Sequence, residues 1–240
     1  MNIILCGYNW AGCKALNILN QMGHNLFVYT HKSPYYIPNL AEYCKELNVD
    51  YSLQNISDSV LPFIPDAIAS IYYRYIFNEE IINICNKKIF NLHPSLLPQY
   101  RGCSSLSWAH INGDNEVGYS YHYVDTDIDT GNIILQKKIP LESFDIGSTL
   151  FNKVMFYALE DFTEVLKLVL EGFPGYKQIA KTKYHKRGCP YNGEINEIWS
   201  DNKINRFIKA MIFPPMKPAT YKGKNIYNIK EFKSLKNKIE

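Results

Sequence analysis

Asn91 and His93 stand two residues apart at the end of an apolar run, and an aspartate-rich stretch, Asp125-Thr126-Asp127-Ile128-Asp129-Thr130-Gly131, follows later in the chain. On a strand, alternate side chains share a face, so Asn91 and His93 are expected to point the same way. An amide N–H hydrogen-bonds an oxyanion. An imidazole takes or gives a proton near neutral pH. A carboxylate such as Asp129 holds that imidazole in one tautomer or orders a water that relays protons. An amide, an imidazole and a carboxylate are what acyl transfer to an amine needs, because its tetrahedral intermediate carries an oxyanion and the attacking amine must lose a proton. Singly, each residue has a plainer explanation. Asn is common in turns, and a His beside a Pro is commonly packed. Alternating aspartates suggest a calcium loop, but such a loop wants Gly in sixth place and Glu in twelfth, where Thr130 and Gln136 stand. No metal is expected.

These residues need a frame. Strands are expected at 3–6, 26–30, 67–72 and 89–92, alternating with helices at 11–22, 39–47 and 78–85. Such alternation argues for a parallel sheet, whose ligands sit beyond the carboxyl ends of strands where the strand order reverses. Pro94 and Pro98 bar a regular helix from 93 to 102. A short helix is expected at 104–111 with Ser104 as its cap. Alternating stretches at 117–124 and 133–139 read as two strands around a long turn. Residues 149–170 read as one long amphipathic helix ending at Gly172. Gly172-Phe173-Pro174-Gly175 is the strongest break, so 1–175 is read as a catalytic domain and 176–240 as a small module. That module has an expected helix at 201–212 and two strands, 219–221 and 225–229, around Lys222-Gly223-Lys224. The fold class is therefore α/β: a Rossmann-like, mostly parallel twisted sheet with flanking helices, plus a small C-terminal α+β module with a β-hairpin.

Composition narrows the function classes. A formal charge of +3 is too small to argue for nucleic acid. The lysines at 222, 224, 230, 233, 236 and 238 read as a solvated tail. No apolar segment reaches the length of a membrane span. The first residues, Met1-Asn2-Ile3-Ile4-Leu5-Cys6-Gly7, lack a basic leader and read as a buried strand rather than a signal peptide. The six cysteines include no C-x-x-C pair. They read as reduced thiols of a cytoplasmic protein.

The run Asn91-Leu92-His93-Pro94-Ser95-Leu96-Leu97-Pro98-Gln99-Tyr100-Arg101-Gly102, followed by Asp129 and Gly131, resembles the formyltransferases that use N10-formyltetrahydrofolate. The likeness extends from about residue 1 to about residue 172. It implies that Asn91, His93 and Asp129 are catalytic. It also implies that N10-formyltetrahydrofolate is the co-substrate. Its pterin would be received by the turn bearing Asp125, Thr126, Asp127 and Ile128 and by the backbone near Ile76 and Phe77. Arg101 stands where some relatives carry another residue, so the resemblance gives it no role.

The tail separates relatives. Glycinamide-ribonucleotide enzymes generally stop soon after the long helix, and methionyl-tRNA enzymes append a basic barrel. Here 65 residues follow Gly175, too few for a full barrel. The chain is thus most similar to sugar N-formyltransferases acting on a nucleotide-linked amino sugar. The implied acceptor is a dTDP-4-amino-4,6-dideoxyhexose such as dTDP-4-amino-4,6-dideoxyglucose, with a UDP sugar behind it, and a homodimer is implied. Formylation of glycinamide ribonucleotide or methionyl-tRNA, hydrolysis of formyltetrahydrofolate, and a non-catalytic folate- or nucleotide-binding protein are the alternatives. Gly7-Tyr8-Asn9-Trp10-Ala11-Gly12 is not a dinucleotide fingerprint, because Asn9 stands where that motif needs glycine. Tyr8, Asn9 and Trp10 are candidates to line the acceptor pocket. Arg74 is a candidate for its pyrophosphate, and Tyr221 for stacking on its base or lining a dimer contact.

Overall fold

The computed structural model describes residues 1–180 and 182–238. Its first strand, β1 (Asn2–Gly7), is buried from Ile3 onward. A strand covered on both faces belongs in the middle of a parallel sheet. It pairs in parallel with β2 (Asn25–Tyr29) on one side and β4 (Ala67–Ile71) on the other. β3 (Asp50–Ser52) extends the sheet beyond β2. β5 (Ile89–His93) pairs in parallel with β4. The antiparallel β7 (Glu116–Tyr123) follows, and then β8 (Ile133–Pro140), giving the order β3-β2-β1-β4-β5-β7-β8. The chain steps outward from β1 to β3 and then resumes on the other side of β1, so the order reverses between β1 and β4.

Helices cover this sheet as the apolar spacing requires. α1 (Asn9–Gln21) buries Ala11, Ala15, Leu16 and Leu19, and α2 (Leu40–Glu46) buries Leu40, Ala41 and Cys44. Gly7 and Gly12 let the start of α1 approach closely. A Cβ on Gly12 would lie 2.9 Å from Leu40 and 3.2 Å from the Gly7 backbone, so these two glycines serve packing. α3 (Glu79–Ile84) is capped by Asn78, whose side chain accepts from the Ile81 N–H. Ile81 and Ile82 join Ile4, Tyr29, Ile68, Phe77 and Ile89 in one buried cluster.

Contacts divide the chain into two compact units, neither of them one continuous segment. The first comprises Met1–His93, Tyr119–Gln136 and Met155–Ala180, and holds β1 to β5 with β7 from Tyr119 onward and β8 up to Gln136. The second comprises Pro94–Gly118, Lys137–Val154 and Lys181–Glu240. The sequence break at 175/176 falls within a stretch grouped with the first unit. In the second unit, α4 (Ser105–Asn112) packs with α7 (Asp201–Met211). β6 (Arg101–Gly102) pairs with β9 (Tyr184–His185), and the hairpin β10 (Ala219–Tyr221) and β11 (Lys224–Ile226) is present. Ile111, Ile195, Phe207, Ile208, Tyr221 and Phe232 lie in the core of this unit.

Three local expectations are corrected. The stretch 149–170 is two helices, α5 (Gly147–Glu160) and α6 (Phe162–Leu170). The break falls at Asp161, whose carboxylate accepts from the buried Tyr119 hydroxyl. Ser104 precedes α4 but does not cap it with its side chain. It adopts φ 59° and donates instead to the Gly188 carbonyl. The strand expected at 225–229 ends at Ile226, and α8 (Ile229–Lys236) follows, with the lysines of this stretch exposed or half-exposed. Asn228 accepts from the Glu231 N–H, Glu231 accepts from the Tyr227 N–H, and Phe232 is buried.

Candidate active site

Asn91 lies in β5 between two polar neighbours in register: Ser70 on β4 and His122 on β7. The Ser70 hydroxyl donates to Asn91 Oδ1 at 2.8 Å, which turns the amide nitrogen the other way. Asn91 Nδ2 meets His122 Nε2 at 3.2 Å, and His122 Nδ1 meets the Tyr123 carbonyl at 2.8 Å. A carbonyl only accepts, so Nδ1 carries the proton. In a neutral imidazole Nε2 is then the acceptor for the amide. The ladder is built on three adjacent strands, and one N–H of the Asn91 amide is left outside it.

His93 ends β5 and is 5% exposed. Its Nδ1 lies 3.5 Å from Asp129 Oδ2, while Asp129 Oδ1 lies 3.5 Å from His122 Nε2. One carboxylate therefore faces two imidazoles, and the His93 and His122 rings meet edge to face at 6.4 Å. With Nδ1 turned to Asp129, Nε2 is the His93 nitrogen on the opposite edge of the ring. Catalytic contacts of this length commonly tighten when a substrate arrives.

The turn that delivers Asp129 is tightly folded. Asp129 itself has φ 56°, a left-handed conformation that Asp tolerates better than most residues. Thr130 Oγ1 donates to Asp125 Oδ1 at 2.7 Å and closes the turn. Gly131 is obligatory, because a Cβ there would lie 1.9 Å from the Tyr123 carbonyl oxygen. The Tyr123 hydroxyl, its pKa raised by burial, keeps its proton and donates a hydrogen bond to the Phe173 carbonyl. Among the described residues no group of three His, Cys, Asp or Glu side chains is arranged to hold a metal ion. Nor is any helix of those residues long and apolar enough to cross a membrane.

Asn91, His93 and Asp129 are thus brought together. Asp125, Thr126, Asp127 and Ile128 lie on the same turn as Asp129. Ile76 is exposed, its carbonyl accepting from Ser57, whereas Phe77 is buried in the core. Tyr8 precedes α1, Asn9 and Trp10 begin it, and Arg74 follows β4, so all four lie at the carboxyl edge where the strand order reverses. Tyr8 stacks on His31 at 3.9 Å, and the Arg74 guanidinium lies 5.4 Å from the Tyr75 ring centre. Asn9 and Tyr72 hold left-handed backbones there, φ 53° and 61°. Such strain clusters at functional sites. Tyr221 is buried in the core of the second unit, with its hydroxyl on Glu197 and its ring against Phe232. Ser70 and His122 were missed from sequence. The alternation Ser120-x-His122 on one strand face was the signal available for His122.

A model of the formyl transferase family matches residues 13–166. The GDP-perosamine N-formyltransferase of Brucella melitensis is 42% identical over 167 residues, 69% of this chain and 64% of that protein. The match thus spans less than two thirds of that relative's length. Among solved structures, WlaRD, a sugar 3N-formyl transferase in the presence of dTDP and 5-N-formyl-THF, gives a TM-score of 0.79 at 22% identity, covering 95% of this chain and 85% of its own. The N-formyltransferase from Helicobacter canadensis, in complex with folinic acid and dTDP-3-aminofucose, gives 0.80 at 20% identity, covering 94% and 86%. At these identities the two structures establish the shared fold. Since the matched stretch runs from α1 to α6 and takes in Asn91, His93, His122 and Asp129, the chain belongs to the formyl transferase family.

Proposed function

We propose that this chain is an N-formyltransferase. It would move a formyl group from N10-formyltetrahydrofolate to the amine of a nucleotide-linked amino sugar, with dTDP-4-amino-4,6-dideoxyglucose as the leading acceptor. The observation that carries the reading is the direction of the Asn91 amide. Ser70 holds its oxygen and His122 takes one N–H, which leaves a second N–H for an oxyanion. The neutral amine attacks the formyl carbon, and the carbonyl oxygen becomes an oxyanion stabilised by Asn91. His93 accepts the amine proton while Asp129 supports the resulting imidazolium. The C–N10 bond then breaks, with the proton passing to the departing nitrogen. No step in this sequence requires a metal.

In this reading 1–175 carries the chemistry and 176–240 is an appended module, a division supported by the end of the family match at 166. Asp125, Thr126, Asp127 and Ile128, with the backbone at Ile76 and Phe77, receive the pterin. Tyr8, Asn9, Trp10 and Arg74 hold the nucleotide sugar. Thr30 Oγ1 and Ser33 Oγ, in the loop after β2, are buried without a hydrogen-bond partner and favour a polar ligand near that edge. The buried Tyr221 is left to packing.

A GDP-linked acceptor is the second reading, favoured by the 42% identical relative. The test is formyl transfer from N10-formyltetrahydrofolate to a panel of dTDP-, GDP- and UDP-linked amino sugars, with glycinamide ribonucleotide and methionyl-tRNA as further acceptors. Transfer to a sugar is expected. Transfer only to one of the other two amines, or formate release without any acceptor, overturns the proposal, as does binding of both ligands without turnover. A homodimer and a cytoplasmic setting complete this reading. A monomeric mass by light scattering would remove the homodimer.

A further inference from the structure

Asn91 and His93 inherit their places from a strand, but Asp129 hangs on a turn in a left-handed conformation. Beyond its own Thr130–Asp125 hydrogen bond, that turn is held from outside by the chain after α6. The Phe173 carbonyl accepts from the Tyr123 hydroxyl, and the Pro174 carbonyl accepts from Asn132 Nδ2 at 2.9 Å. Tyr176 and Ile133 then exchange both backbone hydrogen bonds, at 2.8 and 2.7 Å. Gly175 permits this close approach, since a Cβ there would lie 2.9 Å from the Ile133 carbonyl oxygen. Two residues beyond Tyr176, the Gln178 amide nitrogen donates to the Asp129 carbonyl at 3.0 Å and to the Gly131 carbonyl at 2.8 Å.

We propose that Gln178 is a positioning residue for Asp129. A primary amide has two N–H groups, and here both are used on the carbonyls either side of Thr130. Those two bonds orient the peptide planes that follow Asp129, and with them the direction of its carboxylate toward His93 and His122. Position 178 lies outside the family match at 13–166, so the donor is supplied by chain beyond the matched region. A glutamate has the same size and no hydrogens to give when ionised. Its charge would face two carbonyl oxygens, so Gln178→Glu is the sharpest probe and Gln178→Ala the neutral one.

The proposal rests on the formyl-transfer reading, and its test separates the two. On the full chain, without ligand, hydrogen exchange is followed at the amides of 126–132. Faster exchange in Q178E, by about tenfold or more, is expected there, with the amides of β1 and β4 unchanged. In the transfer assay with N10-formyltetrahydrofolate and the nucleotide sugar that the wild type accepts, kcat is expected to fall about tenfold to a hundredfold in both variants. KM for the sugar should stay within about threefold. Unchanged exchange in the turn overturns the proposal, and so does a kcat within twofold of wild type or a loss carried by KM alone. If the wild type transfers no formyl group, the functional reading fails, and the exchange measurement still decides whether Gln178 holds the turn.

Discussion

Three histidines are buried: His93 and His122 in the first unit, and His110 in the second. By burial alone they are alike, at 5, 2 and 3% exposure. Their surroundings differ in sign. His93 and His122 face the same Asp129 carboxylate, and His122 is also wired to Asn91 and a backbone carbonyl. His110 is held neutral, its pKa lowered to about 4, first by burial and then by the Lys209 and Arg206 charges, which the opposing influence of Asp145 does not offset. Its Nδ1 is buried without a hydrogen-bond partner. The comparison teaches that burial does not make a histidine chemical. A facing carboxylate and a fixed tautomer equip a ring to handle protons, whereas burial beside cations takes that capacity away.

The largest expected effect is at His93. His93→Ala should lower kcat by about 10²- to 10⁴-fold, the usual worth of a general acid–base group, with the folded protein intact by circular dichroism. Next, Asn91→Ala should cost about 10²- to 10³-fold in kcat, as loss of one oxyanion donor does. Near-normal turnover in both variants would remove the mechanism. His122→Phe removes the acceptor for the Asn91 amide but no group that touches substrate in the proposed mechanism. One hydrogen bond is worth about 1–1.5 kcal/mol, so a fall of about tenfold in kcat is expected. A loss as large as that of His93→Ala would promote His122 from support to chemistry.

The smallest effect on turnover is expected at His110, where His110→Phe should leave kcat within about twofold. Its signature is in stability. The folded state resists protonating His110 until pH falls to about 4, whereas the unfolded chain takes the proton below about 6.5. The unfolded state therefore binds more protons between those values, and wild-type stability falls as pH drops from 6.5 toward 4. At about 1.4 kcal/mol per tenfold in proton affinity, the loss is up to about 3 kcal/mol. Denaturant melts at pH 7 and pH 4.5 should show a steeper decline for wild type than for His110→Phe. Equal declines would mean that His110 is not the titrating group.

Much of this was legible in the sequence, for identifiable reasons. The parallel sheet follows from apolar runs alternating with helical spacing, and Asn91, His93 and Asp129 stand out because a proline-rich turn accompanies them. Ser70 did not stand out. It matters only through its register opposite Asn91, and a serine in an apolar strand carries no such mark. Gln178 was equally silent, since its partners are backbone carbonyls far away in sequence. Asp161, where the helix breaks, accepts a hydrogen bond from a tyrosine on a distant strand, a pairing that no local pattern announces. Helix α8 was readable in principle. Asn228 with Glu231 three residues on is a capping pattern, set among lysines that mark the same stretch as solvent-facing.

The Ser70–Asn91–His122 ladder also bears on how such a protein can change. All three side chains are carried by neighbouring strands, so their mutual geometry does not depend on the loops after β1, β2 and β4. Those loops can be lengthened, shortened or exchanged while the amide keeps its aim. Under the proposed function, the arrangement separates the reaction from a replaceable recognition surface. A designer wanting a new acceptor would graft loops onto this edge and leave the three strands alone.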